Sequence, residues 1–245
     1  MATEQGVSVA ELNPLEKDKK LKLAFLDLLL MLREANNLTF QDIADEVDTF
    51  MYEGHDTTAA SISWTLWILG HHPDIQEKLF EELQDIFGDS DRAPTVDDLK
   101  KMNYLDLIVK ESLRLFPAVP LYGRESTEDF EIGGYTVPKG ATVLVVSFMV
   151  HRDPEYFPNP EKFDPDRFLP ENSMDRHPFA YVPFSGGPRN CIGQRFALLE
   201  EKVIVSTVIR NFKVESQESY DKVLPVSMLT LKPSSKLLVK LNARN

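Results

Sequence analysis

Apolar positions recur at helical spacing in several separate stretches of the chain. Ala24 to Leu32 is Leu-rich and predicts a short helix, closed by a turn at Asn36 and Asn37. Thr39 followed by Asp42 resembles a helix start, in which a hydroxyl and a carboxylate satisfy free amides. From there a helical pattern runs to about Gly70, with Pro73 as the stop. Its interior holds Glu53, Gly54, His55, Asp56, Thr57 and Thr58, residues that weaken a helix where no terminus needs it. Pro73 to Phe87 is amphipathic, with Ile75, Leu79, Leu83 and Ile86 on one face and Gly88 as its end. Thr95 and Asp98 repeat the capping signature ahead of a short helix through Lys101. Leu105 to Phe116 follows, apolar at Leu105, Ile108, Val109, Leu113 and Phe116 and stopped by Pro117.

The texture then changes. Phe130 to Val137 and Ala141 to Ser147 read as two strands joined by a turn at Pro138 to Gly140. Asp153 to Gly193 is dense in Pro, Asp, Phe and Gly, and a loop that long is more often functional than filler. Gln194 to Arg210 returns to helical spacing, with apolar residues at Phe196, Leu198, Leu199, Val203 and Val208. Three short strands are expected in the tail, at Phe212 to Val214, Met228 to Leu231 and Leu237 to Leu241. No repeat, low-complexity tract or Gly/Ser linker interrupts the chain. The fold class that follows is mainly α with a small β region.

Composition narrows the chemistry. The 245 residues carry 27 basic and 39 acidic side chains, a net charge of −12, which argues against general nucleic-acid binding. The single cysteine, Cys191, excludes an intrachain disulfide and a metal site built from several thiolates. The first twenty residues form a polar lead-in without the apolar core of a secretory signal, and no apolar stretch is long enough to span a bilayer. A soluble intracellular protein is the expectation from these features.

Three local constellations carry candidate chemistry. Cys191 ends a Gly-rich segment, Phe184-Ser185-Gly186-Gly187-Pro188-Arg189-Asn190-Cys191-Ile192-Gly193, that leads into a helix N-terminus. Helix amides and Arg189 favour a thiolate there, suited to a nucleophile or an axial metal ligand, although a buried inert cysteine is the commoner fate of this residue. Glu111 and Arg114 stand three apart on a helix, either as a surface ion pair or as a buried pair in need of further hydrogen bonds. Arg167 is the candidate third member. Glu53, Asp56 and Thr57 share a side of the long helix; they could relay protons, or bond to backbone carbonyls and bend it.

Taken together, these segments resemble the cytochromes P450. Phe184, Gly187, Arg189, Cys191 and Gly193 match every fixed position of that family's haem-binding signature. Glu111 and Arg114 match its Glu-x-x-Arg helix, Arg167 falls in its meander motif (Pro165 to Phe168), and Gly54, Asp56, Thr57 and Thr58 match its oxygen-activating helix. The wording from Asp48 to Thr58, with His151-Arg152-Asp153-Pro154 further on, is most similar to family 4, the fatty-acid ω-hydroxylase group. The match covers nearly the whole chain but only the C-terminal half of the family fold. The implied organisation is a polar lead-in over residues 1–20 and a partial P450 domain over residues 21–245. That domain would hold a long distal helix, the Glu-x-x-Arg helix, the meander, the haem-thiolate loop, a proximal helix and a β tail.

The resemblance implies haem b (iron protoporphyrin IX), with Cys191 as its thiolate ligand pushing electron density onto the iron. Phe184 would pack near the sulfur, Gly187 and Gly193 would admit close backbone approach, and Arg189 and Arg124 would meet the haem propionates. Glu111, Arg114 and Arg167 would form a structural network behind the loop, and Asp56 and Thr57 would deliver protons during oxygen activation. Glu53 matches the position esterified to a haem methyl in many family 4 enzymes. His151 reads more readily as a structural histidine.

The implied reaction is monooxygenation of lipophilic substrates such as fatty acids, with O2 as co-substrate and electrons from NADPH. The implied partners are NADPH-cytochrome P450 reductase and cytochrome b5, docked by cations such as Lys100, Lys101, Lys110, Arg114, Arg189 and Arg195. Full-length members carry an N-terminal anchor in the endoplasmic reticulum membrane, the pocket roof and further haem contacts; none of these precedes Met1. Three readings follow: an incomplete chain of a full enzyme, a truncated, catalytically incompetent haem-binding or interaction module, and, least favoured, a compact active enzyme of this length. Without an anchor the chain itself would be cytosolic or peripheral. Apolar side chains among Leu66, Trp67, Ile68 and Leu69 are expected to be bare for want of the missing half.

Overall fold

The computed structural model of the protein describes residues 23–244. The expected polar lead-in, residues 1–20, lies outside the described residues. These residues fall into two compact units, one ending at His55 and one beginning at Asp56. The first holds α1 (Phe25–Leu32) and the early turns of α2 (Phe40–Leu69), the second everything that follows.

In the first unit the start of α2 is the reciprocal cap that the spacing predicts. The Asp42 amide donates to Thr39 Oγ1 at 3.1 Å, and the Thr39 amide donates back to Asp42 Oδ2 at 2.7 Å. Asn37 turns the chain between the helices at φ 53°. The Phe25 ring lies 4.6 Å from Phe50, and the Arg33 guanidinium caps the Phe40 ring. Helix α2 passes unbroken through Glu53 to Thr58. Thirty residues of cooperative hydrogen bonding absorb the cost of one glycine and two threonines.

The second unit is built on helices. Helix α3 (Pro73–Phe87) ends where Gly88 adopts φ 55°; α4 (Val96–Lys101) starts on a Thr95–Asp98 capping box; α5 spans Asn103–Leu115. Short α6 (Ser147–Val150) and α7 (Pro170–Ser173) precede α8 (Gln194–Asn211). All five predicted core positions of α5 are buried. They join Leu79, Leu83, Val205 and Ile209 in one cluster around Trp64 and Trp67. The Trp64 ring stacks on Phe116 at 4.3 Å, and Tyr220 stacks on Trp67 at 5.4 Å. Each such side chain contributes roughly 1.5–3 kcal/mol by leaving water. Of the four residues among which some were expected to be bare, Trp67, Ile68 and Leu69 are fully buried and Leu66 alone is partly exposed.

The β region differs from expectation in its pairing. Residues 130–137 form a hairpin, β2 (Phe130–Ile132) with β3 (Tyr135–Val137), not one strand. Gly133 and Gly134 reverse the chain there with φ 57° and 83°, a conformation that only glycine takes without strain. Strand β4 (Thr142–Val145) pairs instead with β1 (Tyr122–Glu125), a strand its charged sequence had hidden.

In the tail β5 (Phe212–Ser216) pairs with β8 (Val239–Ala243), and β6 (Pro225–Ser227) with β7 (Leu231–Pro233). The expected strand at Met228 to Leu231 is mostly the turn of that second hairpin. Gln76 ties α3 to β5, exchanging hydrogen bonds with both the amide and the carbonyl of Val214.

Helix α8 also departs from its apolar pattern. Phe196, Leu199 and Val203 face solvent, whereas Glu201, Val205, Ser206 and Ile209 are buried. A carboxyl and a hydroxyl inside the buried stripe are what misled the periodicity.

Candidate functional site

The long Pro-rich segment from Asp153 to Gly193 is held from behind by one buried ion pair. Arg114 and Glu111 have no exposed side-chain surface, and they meet in a two-pronged contact at 2.7 and 2.9 Å. The rest of Arg114 is satisfied by the carbonyls of His151 at 3.0 Å and Lys162 at 3.1 Å. Glu111 Oε1 also accepts from the Asp164 amide at 2.8 Å, and Arg167 Nε stands 3.4 Å away as a further ion pair. Burial pushes the Glu111 carboxyl up, while Arg114, the Asp164 amide and Arg167 draw it back. Arg167 in turn donates to the carbonyls of Pro158 and Asn159. The three residues expected to form a network are thus brought together, and what they clamp is backbone.

His151 sits beside this network, fully buried. Its Nε2 accepts from the Val182 amide at 2.8 Å, so the proton is on Nδ1, which makes no hydrogen bond of ordinary geometry. Desolvation lowers its pKa to about 3, and the ring stays neutral. The Val182 amide belongs to the strand-like lead into the cysteine loop, so this histidine is structural. Tyr181, next in chain, donates to the Lys110 carbonyl at 2.9 Å and fixes the same lead to α5.

The loop itself is shaped by its backbone. The Ser185 amide donates to the Val182 carbonyl at 3.1 Å, and the Cys191 amide returns to the Phe184 carbonyl at 2.9 Å. Ser185 and Gly187 take φ 61° and 78°, and Gly187 to Arg189 make a single 3-10 turn. Phe184 is half-buried against the main core. A Cβ on Gly193 would lie 3.8 Å from Cys191 Sγ, an ordinary contact. Cys191 is exposed, three residues before the first turn of α8, so the inert buried cysteine is not what the chain makes. Arg124, from β1, reaches across 61 residues of sequence to donate to Ser185 Oγ and to the Arg189 carbonyl, each at 3.3 Å. Arg124 thus reaches the loop in which Arg189 itself stands.

The exposed thiol, the two cations and the apolar side chains of Ile192 and Phe196 fit an amphiphilic, anionic macrocycle that needs one protein ligand. Among the described residues no three His, Cys, Asp or Glu side chains converge as a metal site.

Asp56 and Thr57 lie half-buried on α2. Asp56 Oδ2 accepts from Thr230 Oγ1 at 2.7 Å and its Oδ1 from Lys232 Nζ at 2.6 Å. Sequence reasoning missed both partners, because 174 and 176 residues separate them from Asp56. The alternation of Thr230 and Lys232 about the apolar Leu231 was the only available signal. Glu53 is exposed in the first unit, beside Gly54, at which a Cβ would meet open space. The grouping of basic residues for a partner needs one correction. Arg114 is fully buried and presents no charge to the surface. Lys100 and Lys110 are paired with Asp97 and Asp106.

Known proteins are similar to this chain along most of its length. A family model described as Cytochrome P450 matches residues 9–241. Human "Cytochrome P450 4V2" is 54% identical over 229 residues, covering 93% of this chain and 44% of the relative. The rat protein of the same name is 50% identical over 244 residues, 99% of this chain and 46% of its own length. "Cytochrome P450 4c3" of Drosophila melanogaster is 52% identical over 93% of this chain and 43% of its own. The chain thus spans less than half the length of these relatives.

Proposed function

Because this chain belongs to the cytochrome P450 family, with family 4 members among its relatives, we propose that its protein is a haem-thiolate monooxygenase of lipophilic substrates such as fatty acids. The observation that carries the reading is the exposed Cys191 on a loop closed by its own backbone, with Arg124 and Arg189 at its edge. Haem bound there would supply the redox chemistry, in which one atom of O2 enters a C–H bond and the other leaves as water, with two electrons and two protons consumed.

The chain's own residues bind, orient and move protons. Cys191 would hold the iron through its thiolate, and Arg124 and Arg189 would pair with the carboxylates of the bound group. Gly187 and Gly193 keep side chains off the face that the ring approaches, and Phe184 shields the sulfur from one side. Glu111, Arg114 and Arg167 hold the meander behind the loop, so the thiolate is presented without rearrangement. Asp56 receives protons and Thr57 passes them toward the substrate side.

A covalent ester through Glu53 is proposed on its sequence position alone. NADPH-cytochrome P450 reductase with cytochrome b5 as the electron source, and the endoplasmic reticulum membrane as the location, rest likewise on family membership. No helix among the described residues is long and apolar enough to cross a membrane.

The test is turnover of the haem-loaded protein with a reductase, NADPH and a saturated fatty acid, with products read by mass spectrometry. NADPH-dependent hydroxylation near the chain terminus is expected. An intact haem-thiolate spectrum without any hydroxylated product would refute the fatty-acid assignment.

A further inference from the structure

Along its buried side α2 carries hydroxyls amid an otherwise apolar core. Thr58, Ser61 and Thr65 are all buried and recur at three and four residues, so they share one face. Thr65 closes its contact with α5, donating to Ser112 Oγ at 2.7 Å. Ser61 meets the Glu201 carboxyl of α8 instead. Glu201 is 2% exposed, and its Oε2 and Ser61 Oγ both stand without a hydrogen bond of ordinary geometry.

The charges around this contact are engaged elsewhere. On α8, Glu200 adds a second carboxylate, and Lys202 turns to Asp106 of α5 at 3.1 Å and to the Leu99 carbonyl of α4. On α5, Lys110 shares Asp106, and Glu111 is closed by Arg114. Asp98 of α4 pairs with Arg92, Glu82 of α3 accepts from the Tyr104 and Leu105 amides, and Asp56 of α2 pairs with Lys232. Lys213 and Glu215 of β5 are exposed. The Tyr181 phenol donates to the Lys110 carbonyl, and burial, with Glu201 adding to it, keeps that phenol protonated. Among the described residues no cation acts on Glu201.

We propose that Glu201 and Ser61 form a proton-dependent fastener between α8 and α2. The neutral carboxyl holds the helices together; the carboxylate admits water between them and loosens the helix that follows Cys191. The basis is an imbalance in donors. A neutral carboxyl can donate its O–H to Ser61 Oγ, which closes the pair. A carboxylate only accepts, and here two buried oxygens face one hydroxyl and no cation. Burial lifts the Glu201 pKa from 4.5 to about 7, so its charge appears near neutrality. The proton goes to solvent, and no electron moves. Glu201 lies two turns into α8, and Cys191 precedes that helix by three residues. A looser α8 therefore gives a looser hold on the group that Cys191 binds. That consequence rests on the haem-thiolate reading above; the fastener itself does not.

Hydrogen exchange of the haem-loaded parent, E201Q and S61A tests the fastener, read by mass spectrometry on α8 and α5 amides and corrected for intrinsic pH dependence. With the carboxyl at its ordinary value once α8 opens, linkage makes the opening equilibrium about tenfold larger at pH 8 than at pH 6. The parent should show that loss of protection in α8, with α8 less protected than α5, and E201Q should show none. S61A lacks the hydroxyl that favours the carboxylate, so the pH at which its protection levels off should move above 7. A step that persists in E201Q, an S61A profile like the parent's, or equal protection of α8 and α5 would overturn the proposal.

The rate of haem loss to an excess of a haem-scavenging protein tests the link to Cys191. Dividing the parent rate by the E201Q rate cancels the effect of the thiol's own proton. That ratio should rise severalfold from pH 6 to pH 8. A constant ratio beside the expected exchange pattern would overturn the link to the cysteine loop alone. A parent with haem bound but no thiolate-type spectrum would overturn the haem reading, and the exchange profile would still decide the fastener.

Discussion

At the scale of single residues, the buried charges decide most. Arg114 makes four hydrogen bonds, two to Glu111 and two to backbone carbonyls. Removing one partner leaves the other charge buried and unpaired, a loss of about 3–5 kcal/mol in similar settings. R114A should therefore lower the unfolding free energy by that amount and the denaturant midpoint with it, whereas a surface cation such as Lys100, paired with the exposed Asp97, should lose little on truncation. An R114A midpoint within error of the parent would contradict the role given to the network.

Glu201 is the second buried charge, and it has no such support. Its Oε2 has no hydrogen-bond partner, and Ser61 on α2 lies near without making a bond of ordinary geometry. Burial raises its pKa from 4.5 to about 7, with the neighbouring Glu200 adding to the effect. The folded state thus holds one proton more than the unfolded chain between those two values. Stability is fullest below about pH 4.5, falls as pH rises to about 7, and is insensitive to this group above that. The whole interval is worth on the order of 3 kcal/mol. E201Q should flatten that slope and be more stable than the parent at pH 8; an unchanged slope in E201Q would show that Glu201 is not its source.

At the scale of elements, the site depends on backbone that few sequences can adopt. Gly187 at φ 78° starts the 3-10 turn that delivers Arg189 and Cys191. G187A forces a side chain into the left-handed region at about 1–2 kcal/mol, and should cost both stability and haem retention. Haem affinity and a midpoint equal to the parent's would show that the turn tolerates either hand.

Legibility at this scale followed the range of the interactions. The capping boxes at Thr39 and Thr95, the α5 core face and the ends of α3 depend on neighbours within four residues, and all stood in the sequence. The pairing of β1 with β4 depends on distant partners, and did not. Glu111 and Arg114 could be named as a pair from their spacing, but their burial and the backbone they clamp required the fold. The Arg124 contact with the cysteine loop was legible only through family resemblance, since its strand is short and charged. The α8 face was misread because a buried glutamate breaks the apolar period.

At the scale of the whole molecule, the helical body of the second unit acts as a rigid back wall. The core around Trp64 and Trp67, the Glu111–Arg114 clamp and the α8 start together fix one loop, and that loop carries the only sulfur nucleophile in the chain. Membership of the P450 family explains why so much buried polar structure converges on a segment with almost no regular secondary structure of its own. The central claim is that Cys191 serves there as a haem ligand, and the ferrous carbon-monoxide difference spectrum of the haem-loaded protein, beside C191S, tests it most directly. A red-shifted Soret band of the thiolate type, lost in C191S, is the predicted result. A band that survives in C191S, or no band in the parent with haem bound, would contradict it.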